Sequence, residues 1–250
     1  MPYIQKQIIT DTLIRVITYM NFVPSGYKAN RDEELYQKAK TGEKRKSSIN
    51  RAKDDLALTI AANVTKRSKF ITLTVKDNIL DREKFLQLFN TFRNNAKKYL
   101  GYKLEYVAVT ETQKKRGKKN NDSGAWHIHM VVFNVPQKLD IADFNSKCWK
   151  YGNVNIKQVK QHWQLFKYLT KYLSKDELEL NKKAVLKSRG LEQPTVITAY
   201  EAFDTKDLGS PDFHDTYLLY HGDLEKDKHN NVFDIEKVNQ ATIQEWHILK

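Results

Sequence analysis

The sequence predicts an α+β fold, a central antiparallel sheet flanked by helices, and three observations carry that expectation. β-branched, alternating runs of strand length recur at 70–75, 104–111, 126–133 and 154–159. Between the first two runs, Phe85, Leu88, Phe89, Phe92, Ala96 and Tyr99 repeat at helical spacing. The second and third runs are joined by a moderate polar loop, which reads as an antiparallel hairpin.

The element order expected for the core is β-α-β-β-α-β-α. Before it, residues 48–62 form a helix with Ile49, Ala52, Leu56 and Ile60 on one face. In the helix after the first strand, Asp81 is placed to cap the N-terminus and Gly101 to close the C-terminus. A basic, glycine-containing connection, 114–124, separates the hairpin strands. A short helix over 140–150 carries Ile141, Phe144 and Trp149, and Gly152 breaks it. Residues 161–174 read as a further helix, and 196–203 and 216–220 as strands. The expected organisation is an N-terminal extension over 1–66, a core over 67–191 and an acidic C-terminal segment over 192–250.

The chain has 250 residues and a net charge of +13. Residues 201–250 hold 11 acidic and 5 basic side chains, a net of −6, so the first 200 carry 13 + 6 = +19. A basic body of this kind suits a polyanionic partner, nucleic acid first, although solvated lysines alone produce the same sum. Mean hydropathy is −0.68. No apolar run approaches the roughly 18 residues of a spanning helix, so no membrane partner is expected. The nearest candidate, 13–23, is interrupted by Arg15 and Asn21. Cys148 is the only cysteine, which excludes an intrachain disulfide and points to the cytoplasm.

Side chains at i and i+2 of a strand project from one face. His127 and His129 therefore point together, while Trp126, Ile128, Met130 and Val132 point the other way. Paired imidazoles are candidate metal ligands; the plain alternative is two histidines on a solvated face. Glu111, at the end of the preceding strand, adds a carboxylate across the hairpin, with Gln113 as the next choice. Two imidazoles and one carboxylate suit Mg²⁺ or Mn²⁺ with positions left for water and phosphate. On the later helix, Phe166, Leu169 and Leu173 cluster on one side. Tyr168, Lys171, Tyr172 and Lys175 fall on the other, as a stripe of phenols and ammonium groups. A phenol beside a bound phosphate can act as a nucleophile, and lysines favour its phenolate; the alternative is a solvated helix face.

In this order, Glu111-Thr112-Gln113-Lys114-Lys115-Arg116-Gly117, then Trp126-His127-Ile128-His129, then the Tyr-x-x-Lys-Tyr-x-x-Lys of 168–175, the sequence resembles the HUH endonuclease superfamily. It is similar to rolling-circle replication initiators of phage and plasmid type with two tyrosines. Residues 70–75 resemble their first motif, and Lys187-Ser188-Arg189-Gly190-Leu191 another segment of the group; the likeness spans about 48–191. The resemblance implies a ferredoxin-like palm and one divalent ion, Mg²⁺ or Mn²⁺, held by His127, His129 and Glu111. It implies nicking of single-stranded origin DNA through a 5′-phosphotyrosine on Tyr168 or Tyr172, Tyr168 slightly favoured as the first. Lys171 and Lys175 would neutralise phosphate beside the phenols.

Lys114, Lys115, Arg116, Lys118 and Lys119 form the strongest local basic patch, a candidate clamp for DNA or merely a solvated hairpin tip. The sequence contains no Gly-x-x-x-x-Gly-Lys-Ser/Thr, so unwinding and synthesis would fall to a helicase and polymerase of the host or phage. Two rivals remain open at this level. A transposase of the same superfamily would share the histidines, and a non-catalytic origin-binding protein would share the charge.

Overall fold

The computed structural model describes residues 3–23, 46–77, 79–112, 125–159, 169–170, 173, 185–220 and 238–248. In chain order its elements begin with strands β1 (Tyr3–Ile9) and β2 (Leu13–Val23), helix α1 (Lys46–Asn63), β3 (Lys69–Thr74) and α2 (Arg82–Leu100). There follow β4 (Tyr106–Thr112), β5 (Trp126–Val132), α3 (Ile141–Cys148), β6 (Val154–Gln158) and β7 (Val185–Lys187). The last are β8 (Thr195–Ala199), a 3-10 turn (Lys206–Leu208), β9 (Phe213–Tyr220) and β10 (Val238–His247). The fold is α+β, and the described residues form two five-stranded sheets, antiparallel at every pairing. The chain divides into two compact units, residues 44–192 and residues 1–43 with 193–250.

The first unit holds the sheet β6-β3-β5-β4-β7. Its central strand, β5, is buried at all seven positions because both of its faces are covered. One face meets α2 and α3. There Ile71, Leu73, Tyr106, Ala108, Ile128, Met130 and Val132 pack with Phe85, Phe89, Phe92, Phe144 and Trp149. The opposite face carries Phe70, Val107, Val109 and Val131, which pack with Leu56 and Ile60 of α1 and with Leu169 and Leu173. Leu56 and Ile60 are thus buried as their spacing predicts. Ile141, grouped with the apolar residues of its helix in the sequence, lies exposed.

Helix α2 shows why these residues fold locally as they do. The Asp81 side chain accepts hydrogen bonds from the backbone N–H groups of Glu83, at 2.8 Å, and Lys84, at 3.2 Å, satisfying two donors of the first turn. At the other end Gly101 takes the left-handed conformation, φ 82°, and its N–H bonds to Lys97. Between the caps, Phe85, Phe89, Phe92 and Ala96 recur every three or four residues and form one buried face.

Cys148 ends α3 fully buried in that core. Burial pushes its thiol up to about 11, because the thiolate would lose its hydration there. Alkylation by iodoacetamide at pH 8 is therefore expected to be at least about a hundredfold slower in the native chain than in urea. Equal rates would show that Cys148 is open to solvent.

The second unit joins the two ends of the chain in the sheet β8-β1-β2-β10-β9. The stretch 13–23, the most apolar early run, is its middle strand, pairing with β1 on one side and β10 on the other. Arg15 bonds Glu245 of β10 at 2.6 Å. Among the described residues no helix is long and apolar enough to cross a membrane.

Candidate functional site

Register places the chemistry-bearing residues on one face of the first sheet. In β4 and β5, Glu111 stands opposite His127, and Val109 opposite His129. In β3, Thr72 pairs with His129 and Thr74 with His127. Side chains directly opposite one another in an antiparallel pair share a face. This is the face that α1, Leu169 and Leu173 also cover, and Trp126, Ile128, Met130 and Val132 lie on the other, as alternation predicts.

His129 is held at both ring nitrogens. Its Nδ1 lies 3.2 Å from Thr72 Oγ1, and its Nε2 lies 3.2 Å from Glu111 Oε2. Phe70 stacks against the ring at 6.1 Å between centroids and 13° between planes. Three neighbours on the two flanking strands thus set the imidazole's position and orientation. His127 and His129 are each 7% exposed, so neither stands on an open solvated face.

The Glu111 carboxylate and the His129 ring nitrogen stand at the separation expected of two adjacent ligands of one ion. Two ligands of one ion, each at about 2.1 Å and at right angles, stand about 3 Å apart. The Thr72 hydroxyl at the far nitrogen is the kind of partner that orients a ligating histidine. His127 adds a second imidazole to the same face, at the register position opposite Glu111. Among the described residues, no group of three His, Cys, Asp or Glu side chains is gathered closely enough to hold a metal ion as they stand. The donor types suit Mg²⁺ or Mn²⁺, and the 3.2 Å contact joins Glu111 with His129 specifically.

Of the later helix, residues 169, 170 and 173 are described and are helical. Leu169 and Leu173 are fully buried in the core beneath the histidine face, the role their four-residue spacing predicts. Tyr168, Lys171, Tyr172 and Lys175 lie outside the described residues, as do Phe166, Gln113 and the basic patch Lys114, Lys115, Arg116, Lys118 and Lys119.

One contributor escaped the sequence reading. Thr72, on the strand predicted over 70–75, orients His129, and the strand alternation that places Thr72 and Thr74 on one face was the available signal. The segment 187–191 forms part of the sheet's margin: β7 pairs with β4, and Ser188 bonds the backbone of Tyr106 through N–H and hydroxyl.

Residues 68–177 match the family model of the replication-associated protein ORF2/G2P. The matched span runs from just before β3 through Glu111, His127 and His129 to just past the segment with Tyr168, Tyr172 and Lys175. No curated protein and no solved structure matches the chain.

Proposed function

We propose that the protein is a replication initiator of the rolling-circle type, which nicks single-stranded origin DNA and keeps the 5′ end on a tyrosine. The observation that carries this reading is the Glu111–His129 contact, with His127 on the same face, inside the span that matches a replication-associated family. The buried Leu169 and Leu173 support it further. Each follows directly on a tyrosine in sequence, and both are anchored in the core on the face that carries the histidines.

In this reading His127, His129 and Glu111 hold one Mg²⁺ or Mn²⁺, whose Lewis acidity withdraws charge from the scissile phosphate. The protein's own groups do the rest. Thr72 and Phe70 keep the His129 ring from turning, so this one imidazole is oriented before DNA arrives. The phenolic oxygen of Tyr168 or Tyr172 forms a bond to phosphorus as the bond from phosphorus to the 3′ oxygen breaks. The phenol gives up its proton to solvent and the departing 3′ oxygen takes one up, leaving a free 3′-OH and a 5′-phosphotyrosine. Lys171 and Lys175 favour the phenolate and offset phosphate charge. The phosphotyrosine retains the energy of the broken ester, so rejoining needs no nucleotide, and the 3′-OH is ready for a host or phage polymerase behind a helicase.

A labelled single-stranded origin library incubated with Mn²⁺ and run on a denaturing protein gel tests this. A covalent adduct is expected with the wild type, absent without metal and reduced by at least about 10³ in Tyr168→Phe/Tyr172→Phe. Binding without an adduct, across metals and sequences, would make the protein a non-catalytic origin-binding factor.

A further inference from the structure

The face that bears the histidines is covered unevenly, and the uneven cover indicates where a DNA strand can lie. One row of that face runs Lys157 on β6, Phe70 on β3, Val131 on β5, Val107 on β4 and Lys187 on β7. At the β7 end the row is closed by α1: Lys187 Nζ donates to Asp55 at 2.7 Å and to Thr59 Oγ1 at 2.6 Å. At the β6 end Lys157 is exposed. The next row tells the same story. Asn155 of β6 is exposed and pairs with Thr72, the residue that orients His129. Exposed Asn153 follows, its carbonyl accepting from the N–H of Thr74, which pairs with His127. Val154 and Ile156, by contrast, turn to the opposite face and pack against its core.

Among the described strands β6 is the margin of the sheet, with β3 as its one neighbour. Asn155 and Lys157 on β6, with Asn153 just before it, put two amides and an ammonium group in line. Asn153 and Asn155 are each one strand away from a candidate metal-ligating histidine, across Thr74 and Thr72, and Lys157 pairs with Phe70, which stacks on His129. Asparagine offers donors and an acceptor to base edges, and lysine offers charge to phosphate. From this arrangement we infer that β6 is a binding lane for single-stranded DNA. In it Lys157 contacts a phosphate, and Asn153 and Asn155 contact the nucleotides that lead to the scissile bond. The inference rests on the nicking reading for the direction of the lane, and on the geometry alone for its place.

The test is a titration of a fluorescein-labelled, mixed-sequence single-stranded oligonucleotide by fluorescence anisotropy, at several salt concentrations, with the full chain. Lys157→Ala is expected to weaken binding about fivefold and to reduce the slope of log K against log salt by about 0.7, one phosphate contact. Asn153→Ala/Asn155→Ala is expected to weaken binding with the slope unchanged, because no charge is removed. Lys97→Ala, on α2 against the other face, is the control and should alter neither. In the gel assay, Lys157→Ala should raise the DNA concentration needed for half-maximal adduct about fivefold, in step with the loss of affinity. Unchanged affinity and slope in both β6 variants would overturn the lane, whatever the gel shows. A wild type that binds DNA through β6 yet forms no adduct would keep the lane and refute the nicking reading.

Discussion

Replacing His129 with alanine is expected to lower adduct formation at saturating Mn²⁺ by about 10²–10³, the loss of several kcal/mol of charge stabilisation at the phosphate. His127→Ala should fall in the same range. The expectation for His129 comes from its contacts. Its Nε2 is 3.2 Å from Glu111 Oε2 and its Nδ1 3.2 Å from Thr72 Oγ1, so the ring joins the carboxylate to the strand behind it. Without the ring, Glu111 loses its partner at the site and a metal ion loses one of its two imidazoles. Isothermal titration with Mn²⁺ alone separates this from an effect on DNA binding: the alanine variant should show weakened metal uptake and retain oligonucleotide affinity measured without metal. Wild-type metal affinity and adduct yield in His129→Ala would remove the histidine from the mechanism.

Gly152→Ala is expected to have the largest effect on folding. A Cβ at this position would stand 2.0 Å from the Thr74 carbonyl oxygen, and 2.9 Å from both Thr74 C and Val75 Cα. All three are backbone atoms, which cannot rotate aside. The approach is fixed on both sides. Thr74 N–H donates to Asn153 O at 3.0 Å, and Lys76 N–H to Tyr151 O at 2.7 Å. The same Thr74 carbonyl accepts from Trp149 Nε1 at 2.8 Å, tying the end of β3 to the core under α3. Making room would part these bonds, so a loss of about 3 kcal/mol is expected. For a chain of this size that corresponds to a fall in melting temperature of about 6–12 °C. Gly101→Ala is the comparison. Its φ of 82° is costly for alanine, but nothing lies within 4 Å, so only about 1 kcal/mol should be lost. Equal melting temperatures for Gly152→Ala and the wild type would contradict the close approach.

Gly152 also illustrates what the sequence could and could not convey. As a letter between a helix and a strand it reads as a helix breaker. The backbone it must pass belongs to residues about 75 positions earlier, and no local pattern reports that contact. Elements set by local rules were legible. α2 was visible from its aromatic spacing and both caps, and the histidine face from strand alternation together with the hairpin between β4 and β5. The contact of Glu111 with His129 follows from that same local pairing. The second sheet was only partly legible, since its strands pair across nearly the whole chain. β1 pairs with β8, Gln5 opposite Ala199, and β2 with β10, Tyr19 opposite Ala241. In β1, Gln5 and Gln7 are buried alongside Ile8, so its pattern lacks the clean alternation that announces a strand. Arg15 interrupts the apolar run of β2 in the sequence, and Glu245 on the neighbouring strand accommodates it. The orientation of His129 by Thr72 was hidden for a similar reason, since it depends on the register between β3 and β5.

The most direct test of the central claim is to digest the Mn²⁺-dependent adduct with nuclease and protease and sequence the modified peptide by mass spectrometry. The account predicts a nucleotide remnant joined through its 5′ phosphate to Tyr168 or Tyr172, with the released strand ending in a 3′-OH. A remnant on another residue would contradict it, as would cleaved DNA carrying a free 5′ phosphate with no modified peptide at all.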